Sequence, residues 1–291
     1  MFNMSNKRFI GRSILAVFFC LIGLASYGEK IPTNEIHYTT VDNRVLPLEK
    51  DIEDGCPFLS NSYNPEKNVC ILKFDKDVTE IGGSAFLGCS SLTSISIPSS
   101  VTEIGYNAFR DCSSLTSISI PSSVTEIGDD AFAGCSSLTS ISIPSSVTEI
   151  GDYAFLGCSS LTSISIPSSV TEIGGCAFRG CSSLTSISVS KDNKFYDSRE
   201  DCNAIIHTES NTLISGCKNT IIPSSVTRIE GDAFRGCSSL TNISIPSSVT
   251  EIGYNAFRGC SSLMEVRIPK GCQVSYDAFK DCPEGLVITR Y

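Results

Sequence analysis

Tryptophan is absent from this 291-residue chain, methionine occurs three times and histidine only twice. So few imidazoles leave little for metal ligation or acid–base catalysis, where histidine is the usual group. Basic clusters are missing as well. The 22 Lys and Arg are outnumbered by 31 Asp and Glu, giving a net charge of −9. That balance argues against a nucleic-acid partner. No apolar run approaches the ~20 residues of a membrane-spanning helix. There is no G-x-S-x-G and no glycine-rich phosphate loop, so neither a serine hydrolase nor a nucleotide site is indicated.

What the chain does have is a 23-residue unit, cleanest at Ile143–Ser165: IPSSVTEIGDYAFLGCSSLTSIS. Copies begin at Phe74, Ile97, Ile120, Ile143, Ile166, Ile222 and Ile245, with a shortened one at Ile268. A fixed period of this length marks a solenoid. Leu161, Ile164 and Ile166 follow an L-x-x-I-x-I spacing that predicts a short strand, its isoleucines inward and Ser163 and Ser165 outward. Pro167 ends the strand because it has no N–H to donate. Val147 and Ile150 form a second apolar pair, Gly151 turns the chain, and Ala154-Phe155 predict a brief helical or 3₁₀ segment. One coil cannot enclose its eight apolar side chains alone. Stacking each against its equivalent in the next coil can, at roughly 1.5–3 kcal/mol per fully buried side chain.

The run I-P-x-x-V-T-x-I-G-x-x-A-F-x-x-C-x-x-L-x-x-I resembles the BspA-type leucine-rich repeat of bacterial surface proteins, from Phe74 to about Cys282 apart from Val189–Ile221. The resemblance implies a leucine-rich-repeat solenoid, a right-handed coil of short parallel β-strands with short helical or 3₁₀ turns. It also implies a secreted or surface-displayed adhesion or binding module.

Residues 1–28 read as a signal peptide: Lys7, Arg8 and Arg12 precede the apolar Ile14–Leu24, and Ser26-Tyr27-Gly28 offers a cleavage point. The remainder, exported, has no predicted transmembrane span. Residues 29–73 depart from the repeat and are expected to form an N-terminal cap, with a β-hairpin between Glu35–Thr40 and Arg44–Leu48 about Asp42-Asn43. Residues 74–188 hold five 23-residue coils and 189–221 a longer island coil. Within the island, Ala204–His207 and Thr212–Ser215 predict a hairpin across Glu209-Ser210. The island is either a spacer that changes curvature or a loop that carries specificity. Residues 222–291 resume the repeats and end in a more charged C-terminal cap, with Gly285–Tyr291 as a last strand.

Eight of the fifteen cysteines share one repeat position: Cys89, Cys112, Cys135, Cys158, Cys181, Cys237, Cys260 and Cys282. A column does not converge on a metal, and parallel side chains about 4.8 Å apart exceed disulfide Cβ spacing, so buried thiols are expected. Outside the column, Cys56–Cys70 and Cys202–Cys217 are candidate disulfides, with free thiols the alternative; pairing His207 with Thr212 would set Cys202 opposite Cys217.

No catalytic residue, cofactor or metal site is expected. Two surfaces remain. The strand face offers hydroxyls, with Ser117, Ser119, Ser140, Ser142, Ser163, Ser165, Ser186 and Ser188 as candidate binding residues alongside Thr116, Thr139, Thr162 and Thr185. The turn after each Gly varies instead and is bordered by Arg110, Arg179, Arg235 and Arg258, with tyrosines such as Tyr106 and Tyr254. An extracellular protein or glycan is the expected partner of one of these faces. The competing expectation is a structural spacer or envelope component with no specific ligand.

Overall fold

The computed structural model describes residues 31–48 and 58–291. The leader reading and Cys56 lie outside those residues. Beyond an N-terminal cap, the chain winds as a β-solenoid. One column holds the repeat strands, including Leu92–Ser96, Ser117–Ser119, Ser163–Ile166 and Ser186–Val189 before the island. Asn242–Ser244, Glu265–Ile268 and Val287–Arg290 follow it. Neighbours pair in parallel one repeat apart, Ser94 with Ser117 and Ser163 with Ser186. A second column is built from two-residue Glu-Ile strands, continuous from Glu80–Ile81 to Glu172–Ile173.

All eight expected apolar side chains of the central coil are enclosed: Val147, Ile150, Ala154, Phe155, Cys158, Leu161, Ile164 and Ile166. From Phe86 to Phe178 the phenylalanines form one column, with ring centroids 5.2–5.4 Å apart and planes within 6°. The repeat thus converts one buried side chain into a continuous core without lengthening the coil.

The expected helical segment is replaced by turns. Ser84, Phe86 and Gly88 donate their N–H groups to Tyr106, Ala108 and Arg110 of the next coil at 2.7–2.8 Å. Ala85, Leu87 and Cys89 donate back three residues at 3.1 Å. Only alternate amides turn inward, so no helix can propagate, and the two uses interleave along one segment. The remaining amides complete a ladder between coils. Among the described residues the one 3₁₀ stretch is Arg199–Asp201, in the island.

The N-terminal cap is a meander. Glu35–Thr40 runs antiparallel to both Val69–Phe74 and Leu92–Ser96, and Phe58–Asn64 pairs with Val69–Phe74. The turn at Asp42-Asn43 forms as expected, with Asn43 at φ 56° and its N–H on the Thr40 carbonyl at 3.3 Å. Arg44–Leu48, however, does not return as a strand. Buried Leu46 explains the difference: its N–H donates to Tyr38 Oη at 3.0 Å, and Asn61 Nδ2 donates to its carbonyl at 2.9 Å. Side chains satisfy this backbone where a ladder was expected.

The island hairpin forms between Ala204–His207 and Thr212–Gly216, and Tyr196–Asp197 adds a third antiparallel strand. Tyr196 Oη accepts the Ile173 N–H at 3.1 Å, terminating the first Glu-Ile ladder. Thr212-Leu213 then pairs in parallel with Arg228-Ile229 and starts the second. The phenylalanine column is interrupted here and resumes at Phe234, 4.8 Å from Phe257. The core accordingly divides into two clusters that meet within the island, where Tyr196, Ile205 and Cys217 belong to the first and Cys202, Ala204, Ile206 and Leu213 to the second.

Candidate functional site

Three columns of repeated hydroxyls bond to the preceding coil instead of standing free. Thr116, Thr139, Thr162 and Thr185 donate through Oγ1 to the threonine carbonyl one coil back, at 3.1–3.4 Å. Thr102, Thr125, Thr148 and Thr171 do the same on the second column, each at 3.2 Å. Ser100, Ser123, Ser146 and Ser169 reach valine carbonyls of the previous coil at 2.5–2.6 Å. These side chains act as staples between coils. The expected sheet of hydroxyls therefore shrinks to its serines.

Ser119, Ser163, Ser165, Ser186 and Ser188 are exposed and Ser117 is half-buried, and their hydroxyls engage none of the described residues. Ser163 and Ser165 stand beside Ser186 and Ser188 in parallel register. That patch is the clearest array of undirected donors and acceptors on the strand face. Ser140 and Ser142 are exposed too, but Thr139–Ile143 is not a strand, and Ile141 is only half-buried where Ile118, Ile164 and Ile187 are buried. The strand face is consequently discontinuous at this coil.

The island borders the patch, which sequence reasoning missed. Asn219 Nδ2 donates to the Thr185 carbonyl at 3.1 Å, Ser198 Oγ to the Ile187 carbonyl at 3.2 Å, and the Lys218 N–H to the Leu184 carbonyl at 3.3 Å. Island groups therefore cover the free edge of Ser186–Val189. The signal was the position of the island directly after that strand. Arg199 braces the island from within, with Nε on Asp197 Oδ1 and Nη1 on Asn211 Oδ1, both at 2.8 Å, and Nη1 also reaches Ser225 Oγ of the next coil at 3.2 Å. Burial alone would raise the Asp197 pKa, but hydrogen bonds from Arg199 outweigh it and hold the carboxyl below its ordinary value.

The variable turn owes much of its composition to backbone geometry. Its second residue lies at positive φ in Asn107, Asp130, Tyr153, Cys176, Asp232 and Asn255, between 54° and 60°. Asn and Asp are the non-glycine residues that tolerate this region best. Asn107 and Asn255 are also buried. Arg110 lies 3.4 Å from Asp130, Arg235 2.8 Å from Asp232 and Arg258 2.8 Å from Asp281, so these guanidiniums already have carboxylate partners. Tyr106 and Tyr254 remain exposed.

The inner members of the cysteine column are buried and hydrogen-bonded to backbone. Cys112, Cys135, Cys158 and Cys181 donate Sγ–H to phenylalanine carbonyls at 3.1–3.3 Å. Burial pushes the Cys135 and Cys181 thiols up to about 12, far from thiolate chemistry at neutral pH. Cys202 and Cys217 are free, buried thiols in the structure. The expected register holds at His207–Thr212 but shifts by one residue between Ile205 and Ile206, so that Ala204 meets Gly216. Continued outward, that register sets Cys202 against Lys218. Cys70 is likewise a free, buried thiol.

His207 Nδ1 lies 2.8 Å from Ser210 Oγ within its own hairpin turn, and Ser210 donates onward to Thr212 at 3.0 Å. No carboxylate is hydrogen-bonded to this ring among the described residues, so it lacks the orienting group of a nucleophile–base pair. His37, on the first strand of the cap, is buried with Nε2 2.9 Å from Glu35. No cluster of three metal-ligating side chains occurs among the described residues, and no helix there is long and apolar enough to cross a membrane.

The family model for the BspA-type leucine-rich repeat region matches residues 60–185 and 205–286, in six copies. A leucine-rich repeat protein from Bacteroides ovatus is 31% identical with a TM-score of 0.51; the match covers 80% of this chain and 62% of that one. One from Eubacterium ventriosum is 27% identical with a TM-score of 0.56, covering 69% and 61%. The pneumococcal vaccine antigen PcpA, at 22% identity and a TM-score of 0.56 over 73% and 60%, shares the fold. The chain thus spans about three-fifths of the length of these solved structures. No curated protein matches it.

Proposed function

The chain belongs to the BspA-type leucine-rich-repeat family, and from that premise we propose that it is an exported, non-catalytic binding module that recognises an extracellular protein or glycan. The segment boundaries at 28, 73, 188 and 221 are part of the same proposal: leader, N-terminal cap, first coils, island, and final coils ending in a C-terminal cap.

One observation carries it. Both threonine columns and the second serine after each proline are bonded to the preceding coil, while Ser163, Ser165, Ser186 and Ser188 stay exposed beside one another on paired strands with hydroxyls not engaged by the described residues. Their strand edge is bordered by island residues, so a repeated surface meets a unique one there. Uncharged hydroxyls in register suit an extended polar ligand. Each new hydrogen bond replaces one to water and contributes only about 0.5–1.5 kcal/mol net, so several coils must act together.

The purified chain should bind one member of a panel of glycans and extracellular-matrix proteins saturably. Absence of saturable binding throughout such a panel would favour the spacer role. Turnover of a panel member that disappears on changing one side chain would instead contradict the non-catalytic assignment.

A further inference from the structure

Taking the strand face as the binding surface, we propose that Ile221 is its specificity-determining residue and that the group it contacts is an aliphatic side chain of an extended polypeptide. The repeat supplies an internal comparison. The residue just before an Ile-Pro pair is Ser96, Ser119, Ser142, Ser165 and Ser244 in five coils and Arg267 in a sixth, but Ile221 where the island rejoins the repeats. Residues 219–222 alternate exposed, buried, exposed, buried, as Ser163–Ile166 does. Asn219 and Ile221 therefore take the outward positions that Ser163 and Ser165 hold in their own coil.

Burial gives no reason for an isoleucine there. Ile221 is 76% exposed, more than any other isoleucine, leucine or valine among the described residues, while Thr220 and Ile222 on either side are buried. A scattered exposed aliphatic residue ordinarily calls for no account. This one replaces a small hydroxyl at a position that the core leaves free. It is also held in place before any ligand arrives. Its N–H donates to the Cys202 carbonyl at 3.0 Å, and Thr220 Oγ1 donates to the Asn203 carbonyl at 2.6 Å while accepting the Cys217 N–H at 2.8 Å. Little backbone freedom is then left to lose on binding.

The same segment adjoins the serine patch. The Lys218 N–H and Asn219 Nδ2 donate to the Leu184 and Thr185 carbonyls, immediately before Ser186. A ligand lying on Ser163, Ser165, Ser186 and Ser188 thus meets Ile221 at the island border. Hydroxyls both donate and accept, which suits the N–H and C=O groups of an extended backbone. An aliphatic anchor suits a side chain. Sugar rings present flat C–H faces that aromatic side chains cover, and Thr116–Ser119, Thr139–Ser142, Thr162–Ser165, Thr185–Ser188 and 218–221 contain no aromatic residue. Lys218 is exposed and enters no ion pair among the described residues, so it can take a carboxylate of the same polypeptide.

Two arrays probed with the purified chain test this. One carries short synthetic peptides of serine, glycine and aspartate with a single leucine, beside matched peptides with alanine in its place; the other carries glycans, N-acetylated polymers included. Saturable binding to leucine-bearing peptides is expected, with binding to their alanine counterparts at least about tenfold weaker. Ile221→Ser, which installs the residue of the other coils, should weaken peptide binding by a similar factor at an unchanged melting temperature, and Ile221→Leu should retain it. Undiminished peptide binding by Ile221→Ser, or binding only to glycans, would overturn the role of Ile221 and leave the strand face standing if Ser163→Glu/Ser186→Glu abolishes that binding. Undiminished binding by the serine variant, or no saturable binding to either array, would overturn the strand face and this proposal together.

Discussion

Cys158 shows how the repeat disposes of a reactive group. Its thiol is fully buried, donates to the Phe132 carbonyl at 3.2 Å and has its pKa pushed well up by burial. Thiol labelling should be slow in the native chain and fast after denaturation; rapid native labelling or a mapped Cys135–Cys158 bridge would contradict this. Glu126 behaves differently. It sits in the glutamate column between Glu103 and Glu149, and burial followed by those two neighbours raises its pKa. A raised carboxyl pKa means the folded chain keeps its proton to a higher pH than the unfolded chain does. Stability should therefore fall as pH rises from the ordinary carboxylate range through the raised value. Glu126→Gln should flatten that fall in melting temperature between roughly pH 4 and 7, and added salt should act in the same direction. An unchanged slope would show that the column is fully screened. The shift at Glu126 could not be read from the repeat, because it depends on how far the neighbouring coils shield one carboxyl from water.

At the scale of the element, Phe155 lies between Phe132 and Phe178 at 5.4 Å from each. Phe155→Ala should cost about 3–5 kcal/mol in denaturant unfolding, and a loss below about 1 kcal/mol would place the ring outside the core. This column could be read from the sequence because period and burial coincide: the same side chain returns every 23 residues. The strands and the island hairpin were legible for the same reason, their alternation and turn residues being local. What could not be read was where backbone groups found partners across space. The alternating turn amides replaced a helix, Tyr38 and Asn61 took the bonds of the expected second cap strand, and a one-residue bulge moved Cys202 off its register. At the candidate site the serines were legible as outward-facing, but not the diversion of the threonines into staples, the loss of strand at Ser140, or the island groups along Ser186–Val189.

The whole molecule is two stacked cores joined through the island. Gly216 sits at that junction, its N–H on the Ala233 carbonyl at 2.9 Å, and an added Cβ would lie 2.1 Å from the Phe234 ring. Gly216→Ala should lower stability by about 1–3 kcal/mol through overpacking. Because coils couple mainly to their neighbours, it should also separate unfolding of the two halves, seen by calorimetry as a broadened or doubled transition. An unaltered single transition would mean that the junction relaxes freely. Binding, by contrast, should need only the outer surface of an intact stack. The most direct test is titration of an identified ligand against Ser163→Glu/Ser186→Glu, set beside Tyr106→Ser/Tyr254→Ser on the turn face. Loss of affinity with an unchanged melting temperature in the serine variant, and little change in the tyrosine variant, is the predicted result; undiminished affinity in the serine variant would contradict the strand face as the binding surface.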